Sequence, residues 1–238
     1  YDAGKNSDGL EIGDIDGDGK NELVVGNRGS RDLSIFSCDE STNTMVLDYT
    51  RSIKWANGVI DIEDINRDGL NDVVVCHYSN YADLGTTNSF GICYQAPSTY
   101  RLGPEQLYYL PSGKSSRAMD VGDINSDGKP EIVLANEGSG NQIHVFSWSE
   151  SEQKVVLSRS YGPISGYTIS ITIDDINNDG KNDVVLHGTR IYVFLQNNSG
   201  TLNYPETYSG GGESGDIGDL NSDGRNDLAG ATAWGNSI

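Results

Sequence analysis

The chain has 238 residues and carries 35 acidic against 16 basic side chains, a formal net charge of −19. That excess argues against a nucleic-acid binder, which needs a basic stripe, and no apolar run approaches the roughly 20 residues of a membrane-spanning helix. Thirty glycines and 35% hydrophobic residues suit short strands joined by many turns, at a length that an all-β architecture fills as one domain.

The chain opens Tyr1-Asp2-Ala3-Gly4, with neither an initiator Met nor a signal peptide, so the expectation is a processed chain or an excised fragment. A first apolar alternation, strand 9–14, runs into Asp14-Ile15-Asp16-Gly17-Asp18-Gly19-Lys20-Asn21-Glu22, and a strand-like run, Leu23-Val24-Val25, follows at once. Period-two alternation on both sides marks half-buried strands. Further strands are expected at 22–27, 32–38 and 44–51, which closes a first repeat of about 9–51.

The same nine-residue pattern begins again at Asp64, Asp123, Asp175 and Asp219. The second repeat, about 58–110, has strands expected at 58–64, 72–78, 88–95 and 105–110. The third, about 117–160, has 117–123, 131–136, 141–148 and 153–160. The fourth, about 168–208, has 168–175, 183–188, 190–196 and 201–208. A fifth, about 214–238, holds only 214–219 and 227–233. Repeats of near 50 residues with four strands each read as propeller blades rather than as a β-helix, whose repeats are far shorter.

Each loop offers oxygen at positions 1, 3, 5 and 9, with glycine at 6. These are Asp14, Asp16, Asp18 and Glu22; Asp64, Asn66, Asp68 and Asp72; Asp123, Asn125, Asp127 and Glu131; Asp175, Asn177, Asp179 and Asp183; and Asp219, Asn221, Asp223 and Asp227. Position 7 can add a backbone carbonyl whatever its side chain, which fits Lys20, Leu70, Lys129, Lys181 and Arg225. An all-oxygen set of this number suits calcium, which takes six to eight oxygens. Solvated Asp-Gly turns would explain one copy but not five with the same oxygen positions. Position 12, where an EF-hand needs a bidentate Glu, is Val25, Val75, Leu134, Leu186 and Gly230, so the EF-hand reading fails in every copy. The loops hold four carboxylates in the first copy and three in each other, sixteen of the 35 acids. Five bound calcium ions would bring the formal charge to −9.

The pattern D-x-[DN]-x-D-G-x-x-[DE] followed by a β run resembles the FG-GAP/VCBS repeat of integrin-α-like β-propellers over nearly the whole chain. The resemblance implies a single all-β domain of four-stranded blades, with calcium between strands one and two of each. Such propellers usually have about seven blades, and about four and a half are present. The expected role is an extracellular binding or adhesion module for carbohydrate or protein, since calcium is millimolar outside cells. Two alternatives are a polysaccharide lyase on the same fold and a structural repeat in an assembly joined through the unfinished fifth blade.

In up-and-down blades the turns between strands two and three, and between blades, lie opposite the metal loops. That face carries Asn27, Arg28, Asn136, Glu137, Tyr161 and Tyr167, with Trp55, His77, Tyr78, Asn80 and Tyr81 as the expected ligand-binding set, built on the long 78–88 segment. No nucleophile or metalloprotease signature accompanies the three histidines. Cys76 and Cys93 lie on adjacent expected strands, where a bridge or two core thiols are both compatible; Cys38 is left over.

Overall fold

The structure is a computed structural model and describes residues 3–54, 58–77, 89–111, 116–136, 141–212 and 214–231. Among these residues every regular element is a strand. The first sheet is β1 (Ser7–Gly13), β2 (Glu22–Asn27), β3 (Asp32–Asp39) and β4 (Thr44–Ser52), in chain order and antiparallel. The second contains β5 (Ile60–Glu63), β6 (Asp72–Cys76), β7 (Ser89–Cys93) and β10 (Gln106–Tyr109). Between β7 and β10 a short hairpin, β8 (Gln95–Ala96) with β9 (Arg101–Leu102), leaves the sheet.

The third sheet is β11 (Ser116–Gly122), β12 (Glu131–Asn136), β13 (Asn141–Ser149) and β14 (Lys154–Ile164). The fourth is β15 (Thr168–Asp174), β16 (Asp183–Gly188), β17 (Ile191–Phe194) and β18 (Glu206–Tyr208). A last pair, β19 (Ser214–Gly218) and β20 (Asp227–Ala231), forms a two-stranded sheet. These are the four-stranded antiparallel sheets expected of propeller blades, in the expected order; most bounds lie close to those expected, but the strand expected at 201–208 is only Glu206–Tyr208. The β8–β9 hairpin was not expected, and β14 runs on to Ile164, so Tyr161 is a strand residue rather than a loop residue.

The second strand of each four-stranded blade is almost wholly buried because, as an inner strand, it has a neighbour on both sides. Val73, Val74 and Val75 are fully buried, as are Ile132, Val133 and Leu134. β-branched residues suit such positions because their restricted rotamers pack well on a pleated surface. β3 is buried on both faces at its centre, so Leu33, Ser34, Ile35 and Phe36 are all buried in regular register with β2, while the register shift against β4 leaves Asp48 as the extra residue.

The chain divides into two compact units, Tyr1–Ser116 with Glu150–Lys154, and Arg117–Ser149 with Val155–Ile238. Each unit has its own core. In the first, Ile15, Val24, Leu33 and Ile35 pack with Ile60, Val73, Val75 and Leu102. In the second, Val133, Ile143 and Val145 pack with Val184, Leu186, Phe194 and Leu202.

Within each unit, successive blades are joined in the same way. Gly13 sits where a Cβ would meet Ile62 at 2.8 Å, and Gly122 where one would meet Ile173 at 2.9 Å, so first strands approach closely. Farther out, the Leu102 amide donates to the Tyr49 hydroxyl (3.1 Å) and the Leu202 amide to the Tyr161 hydroxyl (3.2 Å). The connection after a blade's third strand thus caps the blade before it.

The register of β6 and β7 settles the cysteines. Cys76 lies opposite Phe90 and Cys93 opposite Val73, so the two side chains are separated along the strands and both are free, buried thiols. Burial in apolar surroundings pushes each thiol up to about 12. Cys38 is free and exposed.

Candidate metal centres

All five acidic loops join the first and second strands of a sheet, and their backbones repeat. The position-6 glycines have φ between 76° and 90°, and no heavy atom lies within 4 Å of where a Cβ would sit on Gly19, Gly69, Gly128, Gly180 or Gly224. Glycine is needed there for its left-handed backbone, not for space. Position 4 is left-handed too, at Gly17, Arg67, Ser126, Asn178 and Ser222. Four of these carry a side chain, a strain of roughly 1 kcal/mol each that the loop must offset.

That conformation turns amides toward the acids. The position-6 amide donates to the position-1 carboxylate in every loop, at 2.7–2.9 Å: Gly19 to Asp14, Gly69 to Asp64, Gly128 to Asp123, Gly180 to Asp175 and Gly224 to Asp219. The position-7 amide donates to the position-5 carboxylate at 2.8–3.1 Å, from Lys20, Leu70, Lys129, Lys181 and Arg225. The position-5 amide donates to the position-3 oxygen of Asp16, Asn66, Asn125 and Asn221. Each bond uses one lone pair of its acceptor oxygen. In the first loop, oxygens of Asp14, Asp16 and Asp18 lie within 4.8 Å of one another.

Position 9 closes the loop from below. Its carboxylate accepts the amide of position 2: Glu22 from Ile15 (3.1 Å), Asp72 from Ile65 (3.2 Å), Glu131 from Ile124 (3.2 Å) and Asp227 from Leu220 (3.1 Å). Where position 9 is the shorter Asp, the chain leaving the third strand comes in to meet it. Gln95 donates its amide to Asp72 (2.9 Å) and Gln196 to Asp183 (2.7 Å). Glu22, Asp72, Glu131 and Asp183 are all buried. Burial, with the neighbouring loop carboxylates adding to it, pushes Glu22, Asp72 and Glu131 up to about 7 and Asp183 to about 6. Burial also raises Asp16.

The donor set fits a hard divalent cation: only oxygens, spaced around a tight turn, with a buried acid whose ionisation the cation would favour. One competitor is visible. Lys181 Nζ reaches Asp179 Oδ2 at 3.0 Å and holds that carboxyl below its ordinary value. In the first loop Lys20 Nζ lies 3.9 Å from Asp18 Oδ2 and closer, at 2.8 Å, to Glu40 Oε1.

The expected ligand-binding set is placed differently. Trp55, Tyr78, Asn80 and Tyr81 lie outside the described residues, as does Glu137. His77 is fully buried: Nδ1 meets Ser89 Oγ at 3.1 Å and Nε2 meets Glu105 Oε1 at 2.8 Å, while Glu105 Oε2 accepts the Lys54 amide. It directly follows the second strand of its blade, and Asn27 and Asn136 are buried at the same place in theirs, where the fourth blade has Gly188. Asn27 donates to Asp32 and Ser34, and Asn136 accepts the Gln142 amide. These three residues tie strand ends together. His144 and His187 are also fully buried, and burial lowers the pKa of both. Arg28 pairs with Asp8 at 3.0 Å, and Tyr167 is exposed.

Four-stranded antiparallel blades, each opening with an acidic loop between its first two strands, define a β-propeller repeat protein. The sequence profile of the FG-GAP-like repeat matches residues 64–134, 123–186 and 175–230. Each match spans two successive loops, and together they cover well over half of the chain; the chain belongs to the FG-GAP-like repeat family. The first loop lies outside the matched region, yet its hydrogen bonds are those of the others.

No curated protein matches the sequence. Among solved structures, the chain is similar to BBS1N crystallised in complex with ARL6DN, with a TM-score of 0.57 and 15% identity over 87% of this chain and 57% of that one. It is also similar to a provisionally assigned 6-phosphogluconolactonase from Bacteroides uniformis, with a TM-score of 0.56 and 15% identity over 83% and 57%. At this identity the likeness is one of fold. The chain spans less than two thirds of the length of these neighbours.

Proposed function

We propose that the chain is a calcium-stabilised, extracellular binding module that recognises a carbohydrate or protein partner, with one ion in each acidic loop. The observation carrying this reading is the five-fold recurrence of one hydrogen-bond scheme. Loop amides orient the oxygens of positions 1, 3 and 5, and a largely buried acid at position 9 completes the set. Calcium supplies the positive charge that such a cluster lacks. Asp14, Asp16, Asp18 and Glu22 would hold it in the first loop, with the Lys20 carbonyl, and the equivalent residues in the other four. Loops without a bidentate Glu at position 12 suit the millimolar calcium found outside cells.

The lyase alternative would need an imidazole able to reach a substrate, and all three histidines are buried. Recognition through the strand-two to strand-three side of the blades fits better, with the aromatic and amide residues of segment 78–88 contributing. The test is a panel of immobilised polysaccharides and extracellular-matrix proteins, probed in calcium with the wild type and with a Tyr78→Ala, Tyr81→Ala double variant. The expected result is at least one specific interaction that weakens tenfold or more in the variant while calcium uptake is unchanged. An interaction indifferent to both tyrosines but abolished by Asp68→Ala would instead put recognition on the loop side.

A further inference from the structure

The acidic loops are tied to one another by a residue that is not among the metal donors. Asn71 Nδ2 donates to the backbone carbonyl of Asp14 at 2.9 Å, Asn182 Nδ2 to that of Asp123 at 3.1 Å and Asn226 Nδ2 to that of Asp175 at 2.7 Å. In each case the donor is position 8 of one loop and the acceptor is position 1 of the loop before it. We propose that this asparagine is a positioning residue that couples neighbouring calcium loops, so that binding in one favours binding in the preceding one. The inference rests on the calcium reading above.

The geometry supplies a route. Position 8 is joined directly to position 9, the acid that closes its own loop. Its side chain reaches the residue whose carboxylate, already held by the position-6 amide, is the first donor of the preceding loop. Ordering one loop around an ion therefore fixes the amide that fixes the next loop's first donor, and the preceding loop has less conformational freedom left to lose. Such coupling is reciprocal between the two sites. Between the fourth and fifth loops a second bond adds to it, from the Asn226 amide to Asn178 Oδ1 at 2.8 Å.

The third loop carries Pro130 at position 8 and has no side-chain donor there. Loops one and two thus form one coupled set and loops three to five another, each inside a single compact unit.

The five position-6 glycine amides give a site-by-site readout, because each donates to the first carboxylate of its own loop. Their resonances in 1H–15N spectra would be followed while CaCl2 is added to the whole chain. Removing one amide-to-carbonyl bond corresponds to about a threefold to tenfold change in affinity. In Asn182→Ala the Gly128 midpoint is therefore expected to rise by that factor, although no residue of its own loop has changed, while Gly19 and Gly69 keep their wild-type midpoints. Asn226→Ala should do the same to Gly180, and it carries the test if Asn182→Ala fails to fold. Midpoints for Gly128 and Gly180 within twofold of wild type in these variants would overturn the coupling. Wild-type glycines that ignore CaCl2 altogether would overturn the calcium reading itself, a result distinct from binding without coupling.

Discussion

Adding excess EDTA to the purified chain is expected to lower its melting temperature by more than ten degrees, measured by circular dichroism against the same protein in millimolar calcium. An ion that binds only the folded state at a hundred times its Kd contributes about 2.7 kcal/mol. For a chain of this size, 1 kcal/mol moves the midpoint by roughly 2–4 °C. Five sites provide ample scope, even if the two compact units melt separately. Without the ion, the folded state holds clustered acids at positions 1, 5 and 9 of each loop.

The pH dependence of the stripped protein has a definite sign. Glu22, Asp72 and Glu131 have folded-state values of about 7, above the ordinary carboxylate range, so the folded chain binds more protons than the unfolded one between about pH 4.5 and 7. What these groups contribute to stability is fully present below their unfolded values and is lost as the pH rises through about 7. The destabilisation by EDTA should therefore be larger at pH 7.5 than at pH 5. A melting temperature indifferent to chelator at both values would contradict the account.

Asp72→Ala should be the most damaging single change in any loop. Asp72 is fully buried, and its two oxygens accept amides from different parts of the blade, Ile65 at the start of the loop and Gln95 at the start of the β8–β9 hairpin. Removing it leaves the buried Gln95 N–H without its acceptor, at about 1–3 kcal/mol, and leaves the Ile65 N–H only its bond to the Glu63 carbonyl. The hairpin carries Leu102, which caps the blade before it, so the loss reaches beyond the loop. A destabilisation of about 3–5 kcal/mol is expected by urea titration, together with one calcium ion fewer. Asp72→Asn separates the two roles, because it keeps an acceptor but loses the charge. It should recover part of the stability and none of the calcium. An Asn variant that binds the full complement would show that position 9 is structural only.

Much of this arrangement could be read from the sequence. The acidic loops were legible because oxygen side chains and glycine recur at fixed spacing, and the strands because period-two alternation and Val-rich runs bracket every loop. β16, at 183–188, is a case where both bounds coincide. What escaped were features set by contacts distant in sequence. Nothing local marks the asparagine at position 8, because its partner is a carbonyl 51 to 59 residues away. The β8–β9 hairpin has strands of two residues each, too short to show any period. Likewise, His77 stands at the end of a strand, a position that suggests exposure, and only the placement of Ser89 and Glu105 around its ring shows that it is enclosed. The left-handed backbone at position 4 gave no signal, because Arg67, Ser126, Asn178 and Ser222 share no side-chain chemistry that demands it.

Calorimetric titration of the metal-free chain with CaCl2 at pH 6, repeated in two buffers of different ionisation enthalpy, tests the central claim most directly. The account predicts five ions per chain. It also predicts release of about three protons, because acids with values near 7 must ionise before they can hold a cation. Absence of binding heat, or uptake of ions with no proton released in either buffer, would contradict it.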